Sequence, residues 1–568
     1  MIGVIARPDQ VEVVEEFFEL FKTAWEYHRP GRVYDVVVAT ADEIPQVRAR
    51  LVVAYGPRTK NLDAWVGIAG RERHRGAWLS EGETGLPIYG ELSTFAAGAN
   101  RSCCVTRNRE IAGVVAGSPD SIVIRLGYDL FDEVRFLLSS GQPVEHAHLP
   151  TLDIHIRMLR DWILNAGMPL LEIPAIPAGH LFSVCLTHDI DFVGIRNHKF
   201  DHSMWGFLYR ATFEAVRRTF RGRISTGQLR KSLRAVVSLP FVYLGWAKDF
   251  WEPFAWYLEV EKGLPSTYFL IPFKRRAGEK VAGPHPSRRA TAYDVGDLVD
   301  STAALQRAGC ELAVHGIDSW HSVEKGCEEL GRVADATGQN RPGIRMHWLL
   351  RDERTPLVLE AAGYAYDSTV GYNETIGYRA GTGQVFRPLG TRRLLELPLH
   401  IQDGALFYPQ RLDLSEPEAE KRSRVLIDHA CDSGGALTIL WHDRSHGPER
   451  FWGDFYVRLV HALKSEGAWF GTAGEVVSWF RKRRQVAFTT AEGVGGTAPR
   501  LQYPGEEIFP ALTVRIYPPT TSALGAGRKA TSEFVDIPWN GKSVEEMEQK
   551  IASHFSHRPP QVVINSVS

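Results

Sequence analysis

Phe182-Ser183-Val184-Cys185-Leu186-Thr187-His188-Asp189-Ile190-Asp191 begins as an apolar strand and ends in titratable groups. Two carboxylates stand one residue apart where the apolar run stops. On a strand, residues i and i+2 point to the same side. Two acids side by side repel unless a cation or a proton lies between them. The stretch therefore asks for a metal, a shared proton or a general base, unless it is simply a solvated strand end.

The surrounding chain narrows this choice. At 568 residues it is too long for one core, so several domains are expected. Its 66 Lys and Arg against 67 Asp and Glu leave a net charge of −1, which provides no global field for nucleic acid. Cys103, Cys104, Cys185, Cys310, Cys327 and Cys431 show no CxxC spacing. Several lie in apolar runs, as reduced core thiols do. Met1 to Ala6 lacks a basic segment followed by an apolar one, so a cytoplasmic location is expected. No run reaches the roughly 18 apolar residues of a spanning helix.

Residues 1–145 pattern as an α/β domain of unassigned role. A helix is expected over Gln10–His28, where Val14, Phe17, Phe18, Phe21 and Trp25 recur at helical spacing. Short strands follow, around Tyr34–Ala39, Leu51–Tyr55 and Ser121–Leu126. Residues 146–179 form a linker, with an amphipathic helix over Thr151–Asn165 and a proline-rich extended piece.

From 180 to 484 strands and helices alternate. Strand-like runs are Phe182–Thr187, Ser266–Ile271, Glu311–His315, Gly343–His347, Tyr364–Ser368, Leu394–His400, Ala436–His442 and Ala468–Gly471. Glycine follows several intervening helices as a stop signal. About eight β-α repeats imply a parallel sheet closed into a barrel. Residues 485–568 have the pattern of a small α+β appendage, with strands at Leu512–Tyr517, Glu533–Ile537 and Gln561–Ile564, a loop over Gly493–Arg500 and a helix at Val544–Phe555.

An insertion interrupts the barrel pattern at 192–261. It carries Arg217, Arg218, Arg221, Arg230, Lys231 and Arg234, with Phe241, Trp246 and Trp251 after them. The simpler reading is a solvated helical insertion whose apolar side covers the barrel. The alternative is peripheral contact, through 209–256, with a membrane surface or an anionic glycolipid.

In a β/α barrel the reactive groups gather at the C-terminal strand ends. Here those ends carry His188, Asp189 and Asp191, then His315 to His321, then Arg345-Met346-His347-Trp348, then Asp367, then His442-Asp443. A lone strand-end histidine is usually structural; polar groups at five ends weaken that explanation. Two histidines and a carboxylate form a catalytic zinc-type ligand set, and a further carboxylate then serves as base.

The 180–484 segment resembles the polysaccharide deacetylases, a family of metal-dependent carbohydrate esterases. Thr187-His188-Asp189-Ile190-Asp191 resembles the family's opening motif, Ser266-Thr267-Tyr268-Phe269-Leu270 its following strand, and Val314-His315 through His321 its histidine motif. Arg345 resembles its arginine motif and Leu440-Trp441-His442-Asp443 its late Leu-x-His motif. The resemblance implies a distorted TIM-like β/α barrel that removes N-acetyl groups from a glycan or glycan precursor. It implies Asp189 as base, paired with Arg345, and His442 as acid, with Asp367 as a candidate to orient it. It implies Asp191, His315 and His321 as ligands to a divalent metal, most simply Zn²⁺, with Co²⁺, Ni²⁺ or Mn²⁺ as alternatives.

Three departures stand out. Ile190 separates acids that the family keeps adjacent. His315 and His321 are six residues apart instead of four, which makes His347 and Asp318 the first substitutes to examine. Arg-Met-His stands where Arg-x-Pro is usual. Trp320, Trp348 and Trp441 are candidates either to stack on sugar or to pack in the core. Two alternatives stay open: hydrolysis of another C–N bond, such as a cyclic imide or ureide, and a non-catalytic polysaccharide-binding barrel.

Overall fold

The computed structural model describes residues 1–81, 84–97, 101–118, 121–280, 286–491, 498–519 and 533–555. Cys185, Phe269 and Ala313, on neighbouring strands, share one apolar cluster inside the curl of the second sheet. Val184, Leu186, Tyr268, Leu270, Leu312 and Val314 belong to a different one, beneath the helices. The period of two along each strand thus separates interior from exterior.

This sheet is parallel and seven-stranded. Ile344–Met346, Glu311–Gly316, Ser266–Leu270, Ser183–Ile190, Ala436–Leu440 and Ile401–Gln402 lie in that order, with Trp469–Phe470 beside the base of Ser183–Ile190. The eight regular strands of a complete barrel are not formed among the described residues. Tyr364–Ser368 contributes a single bridge, Ile344 to Asp367, and Leu394–His400 another, Asp367 to Glu396. The reason is local: Phe386 pairs antiparallel with Glu396 while Gly383 accepts from the amide of Ala436. Segment 383–386 thereby takes up backbone groups that a regular neighbouring strand would have used.

The first part of the chain builds a nine-stranded sheet ordered Trp25–Tyr27, Ile2–Ile5, Val33–Ala39, Arg48–Tyr55, Ser121–Leu126, Ile111–Ser118, Arg101–Thr106, Ile68–Glu81, Thr84–Ala97. Its first five strands run parallel. The helix expected over Gln10–His28 is shorter, Val11–Phe21, because Lys22 turns into the left-handed region at φ 47°. Trp25 belongs to the next strand but stacks on Phe18, with ring centroids 4.6 Å apart. That contact explains its place in a helix-like spacing. Thr151–Asn165 is helical, as its periodicity indicates.

Near the end of the chain, Leu512–Tyr517 pairs with both Leu170–Glu172 and Val535–Trp539. The strand expected at Gln561–Ile564 lies outside the described residues, as does the loop of Gly493–Arg500 up to 497; Ala498–Gln502 is a strand paired with Ala487–Ala491. The insertion is helical over His202–Phe220 and Thr226–Tyr243, with one π-helical turn at Arg210–Glu214. None of the described helices is long and apolar enough to cross a membrane.

Candidate metal and catalytic site

Strand alternation decides which residues of the opening stretch face the site. Thr187 and Asp189 point inward, where Arg345 meets both. His188 points outward and is wholly buried, its Nδ1 2.9 Å from the Trp441 carbonyl and its Nε2 2.8 Å from Glu261. It is a structural histidine.

Asp189 is buried and ionically paired. The Nη1 of Arg345 donates to its Oδ1 at 2.9 Å and to the Thr187 hydroxyl at 2.9 Å. The remaining guanidinium nitrogens donate to the carbonyl and hydroxyl of Ser368, at 3.0 and 2.9 Å. An arginine hydrogen-bonded through all three of its nitrogens fixes the orientation of a carboxylate in a way a lysine cannot.

Ile190 does not prevent the two acids from working together, since Asp191 turns back toward the same space. Val193 and Gly194 follow with φ of 55° and 111°, in a region that a β-branched residue rarely occupies. Asp443 holds this turn, its Oδ2 accepting from the amides of Phe192 and Val193 at 2.7 and 2.9 Å. Strain at Val193 is thus offset by two charge-assisted bonds.

The candidate ligand triplet that results is Asp191, His315 and His347, whose donor atoms lie within 4.8 Å of one another. The Nε2 of His315 is 3.4 Å from Asp191 Oδ1, and that of His347 3.5 Å. His315 directs its Nδ1 to the Arg345 carbonyl at 3.0 Å, which leaves its Nε2 lone pair for a ligand. Asp191 Oδ1 and His347 Nδ1 are buried with no hydrogen-bond partner among the described residues. A buried carboxylate oxygen without a hydrogen-bond partner, facing the Nε2 atoms of two histidines, suits a divalent cation. Burial works to raise the Asp191 carboxyl, but His347 and His315 outweigh it and hold it below the usual carboxylate range. Burial pushes His347 well below its usual value, against the attraction of Asp191, so it is neutral as a ligand must be.

His321, expected as the third ligand, stands outside this triplet. Its Nε2 lies 3.2 Å from Asp318 Oδ1, and the loop of 317–321 carries it away. His347 stands in its place. The backbone there is bent, with Trp348 and Leu349 at φ 65° and 52°. Buried Arg289 secures the bend, donating to the carbonyls of His347 at 3.0 Å and Gly316 at 3.2 Å, and so ties the ends of both histidine strands. A second triplet, Glu72, His74 and Glu110, lies on the N-terminal sheet without comparable burial.

On the opposite side, the Nδ1 of His442 donates to Asp403 at 2.6 Å, and the other oxygen of that carboxylate accepts from the His442 amide at 2.8 Å and from the Ser445 hydroxyl. Asp403 is wholly buried; His442 is partly exposed. Burial disfavours the imidazolium, yet Asp403 raises the His442 pKa to about 10. The carboxylate paired with His442 is therefore Asp403. Asp367, expected in that role, instead faces Thr369 and Glu396. Asp403 follows the strand Ile401–Gln402, so the strand-end rule that found the other groups also applies to it. Arg289 carries no such signal.

The three tryptophans separate cleanly. Trp441 is fully buried and stacks on Phe455 at 5.9 Å. Trp320 is half-buried beside His321. Trp348 is 40% exposed beside His347, with ring centroids 5.9 Å apart, and is the most exposed of the three.

No family model matches the chain, and no curated protein does. Solved structures do. One protein assigned as a polysaccharide deacetylase, from Mycobacterium smegmatis, is 18% identical over 56% of this chain and 99% of its own, at a TM-score of 0.32. The PuuE allantoinase is 14% identical over 54% and 92%, at 0.32. The Xyl-CE4 domain of a multidomain xylanase, from the hindgut metagenome of Trinervitermes trinervoides, is 12% identical over 52% and 90%, at 0.24.

Proposed function

We propose that the chain is a metal-dependent hydrolase that removes N-acetyl groups from an amino-sugar-containing glycan or glycan precursor. The observation that carries this reading is the juxtaposition of three elements. The Asp191–His315–His347 triplet lies beside an Arg-held carboxylate, Asp189, and shares its space with a carboxylate-held imidazole, His442. Asp189 Oδ2 is 3.7 Å from His315 Nε2, so base and triplet face one another.

Asp191, His315 and His347 would hold the metal, with Zn²⁺ the simplest fit to a nitrogen and carboxylate set and Co²⁺, Ni²⁺ or Mn²⁺ also accommodated. A divalent cation there supplies Lewis-acid charge and acidifies water. Asp189 accepts a proton as the water oxygen bonds to the acetamide carbonyl carbon. Arg345 and Thr187 hold that carboxylate in place. His442, protonated through Asp403, donates to the nitrogen as the C–N bond breaks, because an amine leaves poorly without a proton. The products are acetate and a free amino sugar. Trp348 offers an exposed face for a sugar ring.

The non-catalytic alternative drew on the six-residue spacing of His315 and His321. With His347 beside Asp191, that spacing no longer argues for an incomplete site. The test is acetate release across N-acetylated sugars and oligomers, with divalent metal added and withdrawn. Metal-dependent acetate that disappears in Asp189→Asn supports the proposal. Turnover of cyclic imides or ureides, with none of acetylated glycans, points to the other C–N hydrolase. Glycan binding without turnover in the metal-loaded protein overturns the enzymatic reading.

A further inference from the structure

Among the described residues, eleven of 24 exposed large apolar side chains fall between Phe200 and Trp246, so this surface is distinct from the rest. On the helical stretch 202–220, Trp205, Tyr209, Phe213, Val216 and Phe220 recur every three or four residues and are all exposed, Phe213 by 76% and Phe220 by 88%. On Thr226–Tyr243 and the turn after it, Leu233, Val237, Phe241 and Leu244 form a second exposed series, with Val237 at 72%. Each helix has already buried a different face. Met204, Phe207 and Ala211 pack against Ala235, Leu239 and Val242. The exposed series are therefore additional to what the fold requires, and the covering role expected for this insertion accounts only for the inner faces.

The charge beside them is predominantly positive. From 198 to 248, ten Lys and Arg face two acids, Asp201 and Glu214, in a chain whose net charge is −1. Among the described residues, Arg217, Arg221, Arg230, Lys231 and Arg234 make no ion pair within 4.0 Å; Arg223 alone pairs, with Asp413. Aromatic side chains between unpaired cations match the interface of an anionic bilayer, where rings sit at headgroup depth and Lys and Arg meet phosphate. A protein partner or second copy would have to bury that charge against a complementary acidic face.

We infer that the helical insertion 198–248 docks the protein peripherally on an anionic membrane surface, through Trp205, Tyr209, Phe213 and Phe220 on one helix and Val237 and Phe241 on the other. The segment is joined to the body through Ser232, which donates to the Pro448 carbonyl at 2.6 Å, and just beyond it Trp251 donates to Glu449 at 3.2 Å and Tyr257 to the His442 carbonyl at 2.8 Å. Docking would hold the loop that begins at His442 near the bilayer. The inference concerns docking itself and does not depend on the hydrolytic reading.

The test is co-sedimentation of the full chain with vesicles of phosphatidylcholine alone or mixed with phosphatidylglycerol, at low and high salt. The expected result is partition onto the mixed vesicles, weakened by salt. Partition should fall about fivefold for each base replaced in Arg217→Glu/Arg221→Glu. It should be lost in Phe213→Glu/Phe220→Glu with the unfolding midpoint unchanged. If that double variant melts early, Val237→Glu on the other helix carries the same test. Wild-type protein that stays in the supernatant with mixed vesicles overturns the inference, and so do variants that sediment like wild type. It is also overturned if the wild type self-associates, fails to bind vesicles, and becomes monomeric in Phe213→Glu/Phe220→Glu, which would make the face an interface between copies.

Discussion

His315 gives its Nδ1 to the main-chain carbonyl of Arg345, 3.0 Å away, while the side chain of that same arginine holds Asp189. One residue thus orients both a ligand candidate and the base candidate. The parallel register places His315 opposite Arg345, so this coupling is built into the sheet.

The ligand assignment is tested by metal content. His347→Ala and His315→Ala should each retain less than about a tenth of the wild-type metal, since three protein ligands are the usual minimum for a catalytic site. His321→Ala should retain nearly all of it. Metal analysis of the purified proteins decides, and loss in His321→Ala with retention in His347→Ala would reverse the assignment.

Asp189→Asn should keep its metal and lose roughly 10²–10⁴-fold in turnover, the range of general-base contributions. Arg345→Met should also destabilise the fold by about 3–5 kcal/mol, because it leaves the Asp189 carboxylate buried and unpaired. Denaturant unfolding of the two variants distinguishes these effects.

The pair of His442 and Asp403 should appear in pH profiles. His442 is raised from 6.5 to about 10, so in the proposed role of acid its activity should fall as pH rises through that value. The stability it contributes is fully present below about 6.5 and is lost as pH climbs toward about 10. Asp403→Asn should move the alkaline limb of kcat/KM downward and flatten the alkaline loss of stability. Unshifted profiles in that variant would count against the pairing.

Trp348 and Trp441 should respond differently to alanine. Trp348→Ala should raise KM with kcat little changed, because it removes uniform binding at an exposed face. Trp441→Ala should cost about 3–5 kcal/mol of stability, because it empties a filled core position. Steady-state kinetics and thermal unfolding separate the two.

The parallel strands, Thr151–Asn165 and the strand-end positions of Asp189, Asp191, His315, Arg345 and His442 were all legible in the chain. They depend on local rules: alternation along a strand, helical period, and polar groups where an apolar run stops. Which strand ends meet is not local. His347 rather than His321 lies beside Asp191, because the neighbouring strand Ile344–Met346 delivers it there and Arg289 clamps the bend. Asp403 rather than Asp367 orients His442, because Ile401–Gln402 is the strand that pairs with Ala436–Leu440. The single-bridge far side of the sheet was also hidden, since segment 383–386 enters it from elsewhere in the chain. Local pattern alone is enough for the kinds of titratable groups and the strand ends that carry them. Strand order, register and buried arginine contacts, all set by pairings distant in sequence, decided which of those groups share a site.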